Sequence, residues 1–114
     1  LAIKIRSRKN KGARLQNKIR EMLLEHYSEL RDGDIKTAIM GESGRDIKLS
    51  PAAEDIIPFD VEAKNQEKIN IWQSLQQAED NTKDGRVPLL VFKRNHSKTY
   101  AVLELEGLLK FLKK

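Results

Sequence analysis

Asp46, Glu62 and Lys64 are the residues whose types and spacing could do chemistry in this chain. Residues 57–64 alternate strictly. Ile57, Phe59, Val61 and Ala63 fall on one side of a strand, and Asp60, Glu62 and Lys64 fall on the other. Upstream, Arg45-Asp46-Ile47-Lys48-Leu49 alternates too, with Ile47 and Leu49 inward and Asp46 outward. If the two strands pair, Asp46 and Glu62 can hold a divalent cation beside Lys64, which is equipment for hydrolysing a phosphodiester. The competing reading is an ordinary salt-bridge ladder across a hairpin surface.

The surrounding pattern supplies elements to position these groups. Lys4 to Lys11 read as an arm or irregular lead-in, broken at Gly12. From Ala13 to Leu30, Leu15, Ile19, Met22, Leu23, Tyr27 and Leu30 recur at helical spacing. Asp32-Gly33-Asp34 is a turn. A short strand is expected over 35–40, a loop at Gly41-Glu42-Ser43-Gly44, and a second strand over 45–49. Residues 50–55, with Pro51, read as a hairpin turn before a third strand over 56–64. A second helix is expected over 66–82, with Ile69, Ile71, Trp72, Leu75 and Ala78 as packing residues. Val87 to Lys93 is a continuous apolar run typical of a buried strand. A further strand over 98–105 and a short helix marked by Leu105, Leu108, Leu109 and Leu112 close the order α-β-β-β-α-β-β-α.

The chain has 114 residues, enough for one domain with a single core. It contains no cysteine, so thiol catalysis, disulfides and thiolate metal sites are excluded. No apolar run approaches the roughly 20 residues of a membrane span, and no apolar stretch of the export-signal kind follows the basic start. A cytoplasmic protein is expected. The formal net charge is +5, unevenly distributed. Residues 1–20 carry eight basic and no acidic side chains, whereas the other 94 residues carry 14 basic and 17 acidic ones. A positive segment on a slightly acidic body is the electrostatic footprint of a polyanion binder, although a solvated terminus has the same composition. His26 and His96 have no metal-ligand neighbour at a recognised spacing. Gly41-x-x-Gly44 lacks the lysine of a phosphate-binding loop.

Composition alone predicts about one Glu-x-Lys tripeptide in such a chain, so the context of Glu62-Ala63-Lys64 is what matters. With that context the chain resembles the PD-(D/E)XK nuclease superfamily, and within it the archaeal and phage-type Holliday junction resolvases. The resemblance rests on Lys11-Gly12-Ala13 at the entry to helix one, Gly44-Arg45-Asp46-Ile47, and Asp60-Val61-Glu62-Ala63-Lys64-Asn65. It spans about residues 8–94, and the order of the short motifs carries its specificity. The resemblance implies a restriction-endonuclease-like α/β (α+β) core with a central mixed sheet flanked by helices. Residues 1–12 would form a basic arm and 13–114 a single nuclease domain.

The resemblance also implies roles. Asp46, Glu62 and the Ala63 carbonyl would ligate Mg²⁺, or Mn²⁺ in its place. Lys64 would orient the attacking water or stabilise charge at the phosphorus. Resolvases of this kind usually carry a Glu on helix one, and counting from Lys-Gly-Ala this chain has Gln16. Glu21 is the nearest acid, but at about 100° per residue it lies nearly opposite the apolar stripe. Gln16 lies about 50° from the stripe centre and is the better site-edge residue, as an amide. Gln73 on helix two would lie near the DNA.

The expected activity is that of a Mg²⁺-dependent endonuclease on branched DNA, four-way junctions first, working as a homodimer. Arg6, Arg8, Lys9, Lys11 and Arg14 would grip phosphates. Another DNA nuclease on the same fold, or a non-catalytic nucleic-acid-binding module, are the rival readings.

Overall fold

A computed structural model describes residues 2–39 and 44–112, with side chains in the first helix described from Asn10 onward. The elements are α1 (Ala2–His26), β1 (Ile35–Thr37), β2 (Ile47–Leu49), α2 (Pro51–Ile56), β3 (Phe59–Asn65), α3 (Ile71–Asp80), β4 (Val87–Lys93), β5 (Tyr100–Val102) and α4 (Leu105–Leu112). A single turn of 3-10 helix, Asp32–Asp34, precedes β1. The result is a mixed α/β fold with two small sheets. β1 and β2 pair antiparallel; β3, β4 and β5 form a three-stranded sheet, parallel between β3 and β4 and antiparallel between β4 and β5.

The core gathers between α1 and the strands. Leu15 and Ile19 of α1 are buried with Ile35, Ile47, Ala53, Ile57, Val61 and Val91. The apolar stripe of α1 therefore covers the Val61 face of β3, as the spacing requires. The opposite face of β3 lies under α3, which makes β3–α3–β4 a parallel crossover unit and buries β3 on both faces. At the start of β4, Gly107 of α4 lies so close that an added Cβ would come within 2.6 Å of Val87 Cγ1. Phe111 meets Phe59 edge-on, with ring centroids 6.0 Å apart.

Five expectations are corrected. The lead-in before Gly12 is helical: α1 starts at Ala2 and runs through Gly12. Lys and Arg are good helix formers, and one glycine costs about 1 kcal/mol without ending a helix that packs elsewhere. Residues 50–55 form α2 instead of a hairpin turn. Ser50 caps it by accepting from the Ala53 N–H at 3.1 Å, and Pro51 opens it. With a helix between them, β2 and β3 form no ladder, and β3 begins at Phe59. The second helix begins at Ile71, where Asn70 caps it by accepting from the Gln73 N–H at 3.0 Å. The expected strand over 35–40 ends at Thr37, and its last residue and Gly41 to Ser43 lie outside the described residues.

Candidate metal and nucleic-acid site

Asp46 bridges the two sheets. Its N–H donates to the Val61 carbonyl at 3.3 Å, and its Oδ2 accepts from the Ala63 N–H at 2.7 Å. Gly44, at φ 97°, turns the chain into this position through a backbone conformation that favours glycine. A strand residue sends its N–H and carbonyl out on the same side, so the Ala63 carbonyl also leaves β3 on the Asp46 edge.

Glu62 is the neighbour of this contact on β3. Its Oε2 lies 3.6 Å from Lys64 Nζ, and its Oε1 makes a long 3.5 Å contact with Asn81 Nδ2. Burial pushes both carboxyls above the ordinary carboxylate range. For Asp46 the Ala63 N–H and the Lys64 charge act against that rise. For Glu62 the Asp46 charge adds to it, and Lys64 and Asn81 oppose it. Asp46 and Glu62 are therefore close enough to repel each other, and Lys64 sits within reach of both.

Exposure differs from what the alternation suggests. Asp60, Glu62 and Lys64 do share one face, but Asp60 is 2% and Glu62 7% exposed, on a strand that packs against α3. Asp60 does not belong to the carboxylate pair. Its Oδ1 accepts from Arg45 Nη1 and from Arg86 Nε, each at 2.8 Å, and its Oδ2 accepts from the Lys83 N–H at 3.2 Å. Arg86 also donates to the carbonyls of Glu54, Ile57 and Phe59. This buried clamp pins the residue before Asp46 to β3 and closes α2 over the strand. Neither arginine stands out in the sequence, because the partner that gives each a role lies 15 or 26 residues away.

Gln16 is half-buried on α1 and makes no hydrogen bond to Asp46, Glu62 or any other of the described residues. Gln73 is exposed on α3, and the residue of that helix reaching Glu62 is Asn81, at its C-terminal cap. Trp72, expected to pack inward, is 82% exposed. Ser74 and Ala78 line the inner face of α3, leaving Trp72 on its flank. The side chains of Arg6, Arg8 and Lys9 lie outside the described residues.

Lys11 and Arg14 do meet a recognisable surface. With Lys18, Lys93, Asn65 and His96 they line a cleft of about 240 Å³. None of the four cations makes an ion pair among the described residues. Asn65 Nδ2 donates to the Lys11 carbonyl at 3.1 Å, so the residue after Lys64 ties β3 directly to the basic part of α1. The cleft thus begins where the carboxylate strand ends. Lys18 and Lys93 are brought to one cleft only by the tertiary fold, from α1 and β4, which no local pattern reveals.

Among the described residues no group of three or more His, Asp or Glu side chains gathers to hold a metal. The donor set is two carboxylates and one main-chain carbonyl, all hard oxygens. Such a set fits Mg²⁺ or Mn²⁺, which retain several waters and take up substrate phosphate. Two carboxylates held together against burial carry charge that a divalent cation would offset. No protein-family model, curated protein or solved structure matches the chain.

Proposed function

We propose that this chain is a metal-dependent endodeoxyribonuclease acting on branched DNA, of the Holliday junction resolvase kind its motifs resemble. The observation that carries the reading is the convergence of Asp46, Glu62 and the Ala63 edge beside Lys64, on a strand whose next residue, Asn65, lines a cleft whose four cations have no ion-pair partner among the described residues. Asp46, Glu62 and the Ala63 carbonyl would hold the metal. When bound there, Mg²⁺ supplies Lewis-acid activation of water and charge stabilisation at the leaving oxygen. Lys64 holds its ammonium against the carboxylate pair, where it can neutralise an incoming phosphate. Lys11, Arg14, Lys18 and Lys93 bind the sugar–phosphate backbone without reading bases, which favours shape over sequence as the basis of selection. As in the resolvases it resembles, two copies would act on opposed strands.

A second reading is favoured by one observation. Gln16 replaces the expected helix-one carboxylate, and among the described residues no third acidic side chain joins the pair. A binding module that kept the cleft without the chemistry would have this composition. Incubating a labelled four-way junction with and without Mg²⁺ separates the two. Mg²⁺-dependent nicking near the branch is expected. Tight, salt-sensitive binding with no cutting in Mg²⁺ or Mn²⁺ gives the chain to the second reading. Matched linear duplex, nicked and flap substrates run beside it distinguish a resolvase from another nuclease on the same fold.

A further inference from the structure

His96 lines the cationic cleft together with Lys11, Arg14, Lys18 and Lys93, and no acidic side chain lines it. His96 is exposed, in the turn that joins β4 to β5. The Ser97 N–H donates to the Arg94 carbonyl at 3.2 Å, and the Ser97 Oγ accepts from the Arg94 N–H at 3.0 Å. His96 is the third residue of this turn and has φ 62°. Among the described residues no other side chain apart from glycine has a left-handed backbone. Glycine is the usual occupant of such a turn position, because a Cβ is strained there. A side chain kept against backbone strain points to function, and this one lies where phosphates are expected.

Histidine is the side chain whose ordinary titration falls between pH 5 and 8. Its protonated ring is charged and donates from both nitrogens, whereas the neutral ring donates from one. A phosphate backbone favours the protonated ring, through attraction and a charge-assisted hydrogen bond. We propose that His96 is a fifth phosphate contact of this cleft, and that DNA binding takes up a proton on its imidazole.

The surroundings favour His96 as the proton's place. The charged groups that share the cleft come from α1 and β4 and are lysines and an arginine, types that ordinarily stay charged across this range; β3 contributes the neutral Asn65. Glu67 accepts from the Asn95 N–H at 2.7 Å, but it lines a separate hollow with Arg94. The second histidine, His26, meets Tyr27 edge-on and does not line the cleft. Phosphodiesters stay ionised throughout, so the proton goes to the protein. The bound state holds that proton more tightly than the free state. Affinity is therefore highest at low pH and falls as pH rises through the histidine range, by at most about tenfold per pH unit for one proton.

The inference deepens the proposed function and rests on its DNA-binding half alone, so its test does not use cleavage. A four-way junction carrying a pH-insensitive dye is titrated with the whole chain in EDTA at fixed salt, from pH 6 to pH 8. Binding should weaken by at least about threefold over that range. The slope of log K against log salt should be steeper at pH 6 than at pH 8, by up to about 0.9. His96→Gln should bind with one affinity and one slope throughout, close to those of wild type at pH 8. His26→Gln should keep the pH dependence, and so should Asp46→Asn combined with Glu62→Gln, which removes the two carboxyls raised by burial. His96→Gly relieves the left-handed backbone, so it should melt no lower than wild type and still lose the pH dependence. Wild-type affinity that ignores pH overturns the inference. So does a pH dependence that survives both His96 variants, or one that vanishes with the carboxylate variant. Binding that ignores pH in a chain that nicks junctions with Mg²⁺ overturns the His96 assignment alone. A His96-dependent response in a chain that never cuts overturns the nuclease reading alone. A chain that binds no junction at either pH overturns both.

Discussion

The carboxylate of Asp46 and the main-chain N–H of Ala63 are joined at 2.7 Å, and this bond, with the Asp46 N–H to Val61, takes the place of a ladder between β2 and β3. Asp46 therefore has two duties. One oxygen holds the strands together, and its second oxygen is left for other chemistry. An asparagine can keep the first duty, since its amide oxygen still accepts, but it cannot supply the charge.

Asp46→Asn and Glu62→Gln should each cut cleavage of a four-way junction by on the order of a hundredfold or more, with junction binding nearly intact. Asp46→Ala should also lose stability, because the Ala63 N–H loses its acceptor. Gel-shift and nicking assays on the same preparations check both halves. Wild-type cutting by both charge-neutral variants would remove Asp46 and Glu62 from the site.

The pair also makes stability depend on pH, and on a divalent metal if it binds there as proposed. Both carboxyls titrate above their unfolded values, so their favourable contribution is present below the ordinary carboxylate range and is lost as pH rises through the raised folded values. At pH 7 without metal they oppose folding. Glu62→Gln should then melt higher than wild type in chelator, and the difference should shrink as pH falls into the carboxylate range. Mg²⁺ should stabilise the wild type by about 2.7 kcal/mol at a hundredfold excess over its Kd, and the variant much less. Thermal melts with EDTA or Mg²⁺ across pH 4–8 provide the measurement. Equal melting temperatures for the two proteins throughout would refute it.

Much of this arrangement is legible from alternation. Val61 faces α1, Glu62 and Lys64 share the other face, and the helical spacing of Leu15 and Ile19 marks the stripe that meets β3. Burial of the polar face is not legible, because an alternating strand looks the same whether its polar side meets water or a helix carrying matched groups. Asp60 shows the difference: its neutralising partners come from residues 45 and 86. Helix α2 does carry a local signal, since Ser50 followed by Pro51, with the acidic Glu54 in the first turn, marks a helix start, but Pro51 also suits a turn and the two readings compete. Trp72 is expected inward because large aromatics usually are, and only the inner placement of Ser74 and Ala78 puts it on the flank.

Asp60 should matter for stability and not for chemistry. Its carboxylate lies between two guanidinium groups that are themselves largely buried. Removing one partner of a buried ion pair typically costs about 3–5 kcal/mol, because the remaining charges are stranded. Asp60→Ala should lose about that much in urea unfolding. Glu54 is half-buried beside Arg45 and Lys83, with Nζ of Lys83 3.0 Å and Nη2 of Arg45 3.7 Å from its Oε1. Any folded fraction of Asp60→Ala should retain Mg²⁺-dependent cleavage. A variant as stable as wild type would show that the clamp is dispensable.

The cationic cleft makes a prediction of a different form, because positive charges around a concave surface act through counterion release. Removing a cation that neutralises one phosphate should lower the slope of log K against log salt by about 0.9 on duplex. Lys18→Ala and Lys93→Ala should each do so, and their effects should be roughly equal on junctions of different sequence. Lys18 and Lys93 come from α1 and β4, so a matching effect from both shows that one strand of backbone crosses the cleft between them. Lys36, exposed on β1, serves as the control, since it lies outside the cleft. If Lys36→Ala lowers the slope as much as the cleft variants do, the attraction is a property of net charge and the cleft has no special place in it. If only the cleft variants lower it, the phosphate path runs along α1 past Asn65, the residue that follows Lys64 on β3.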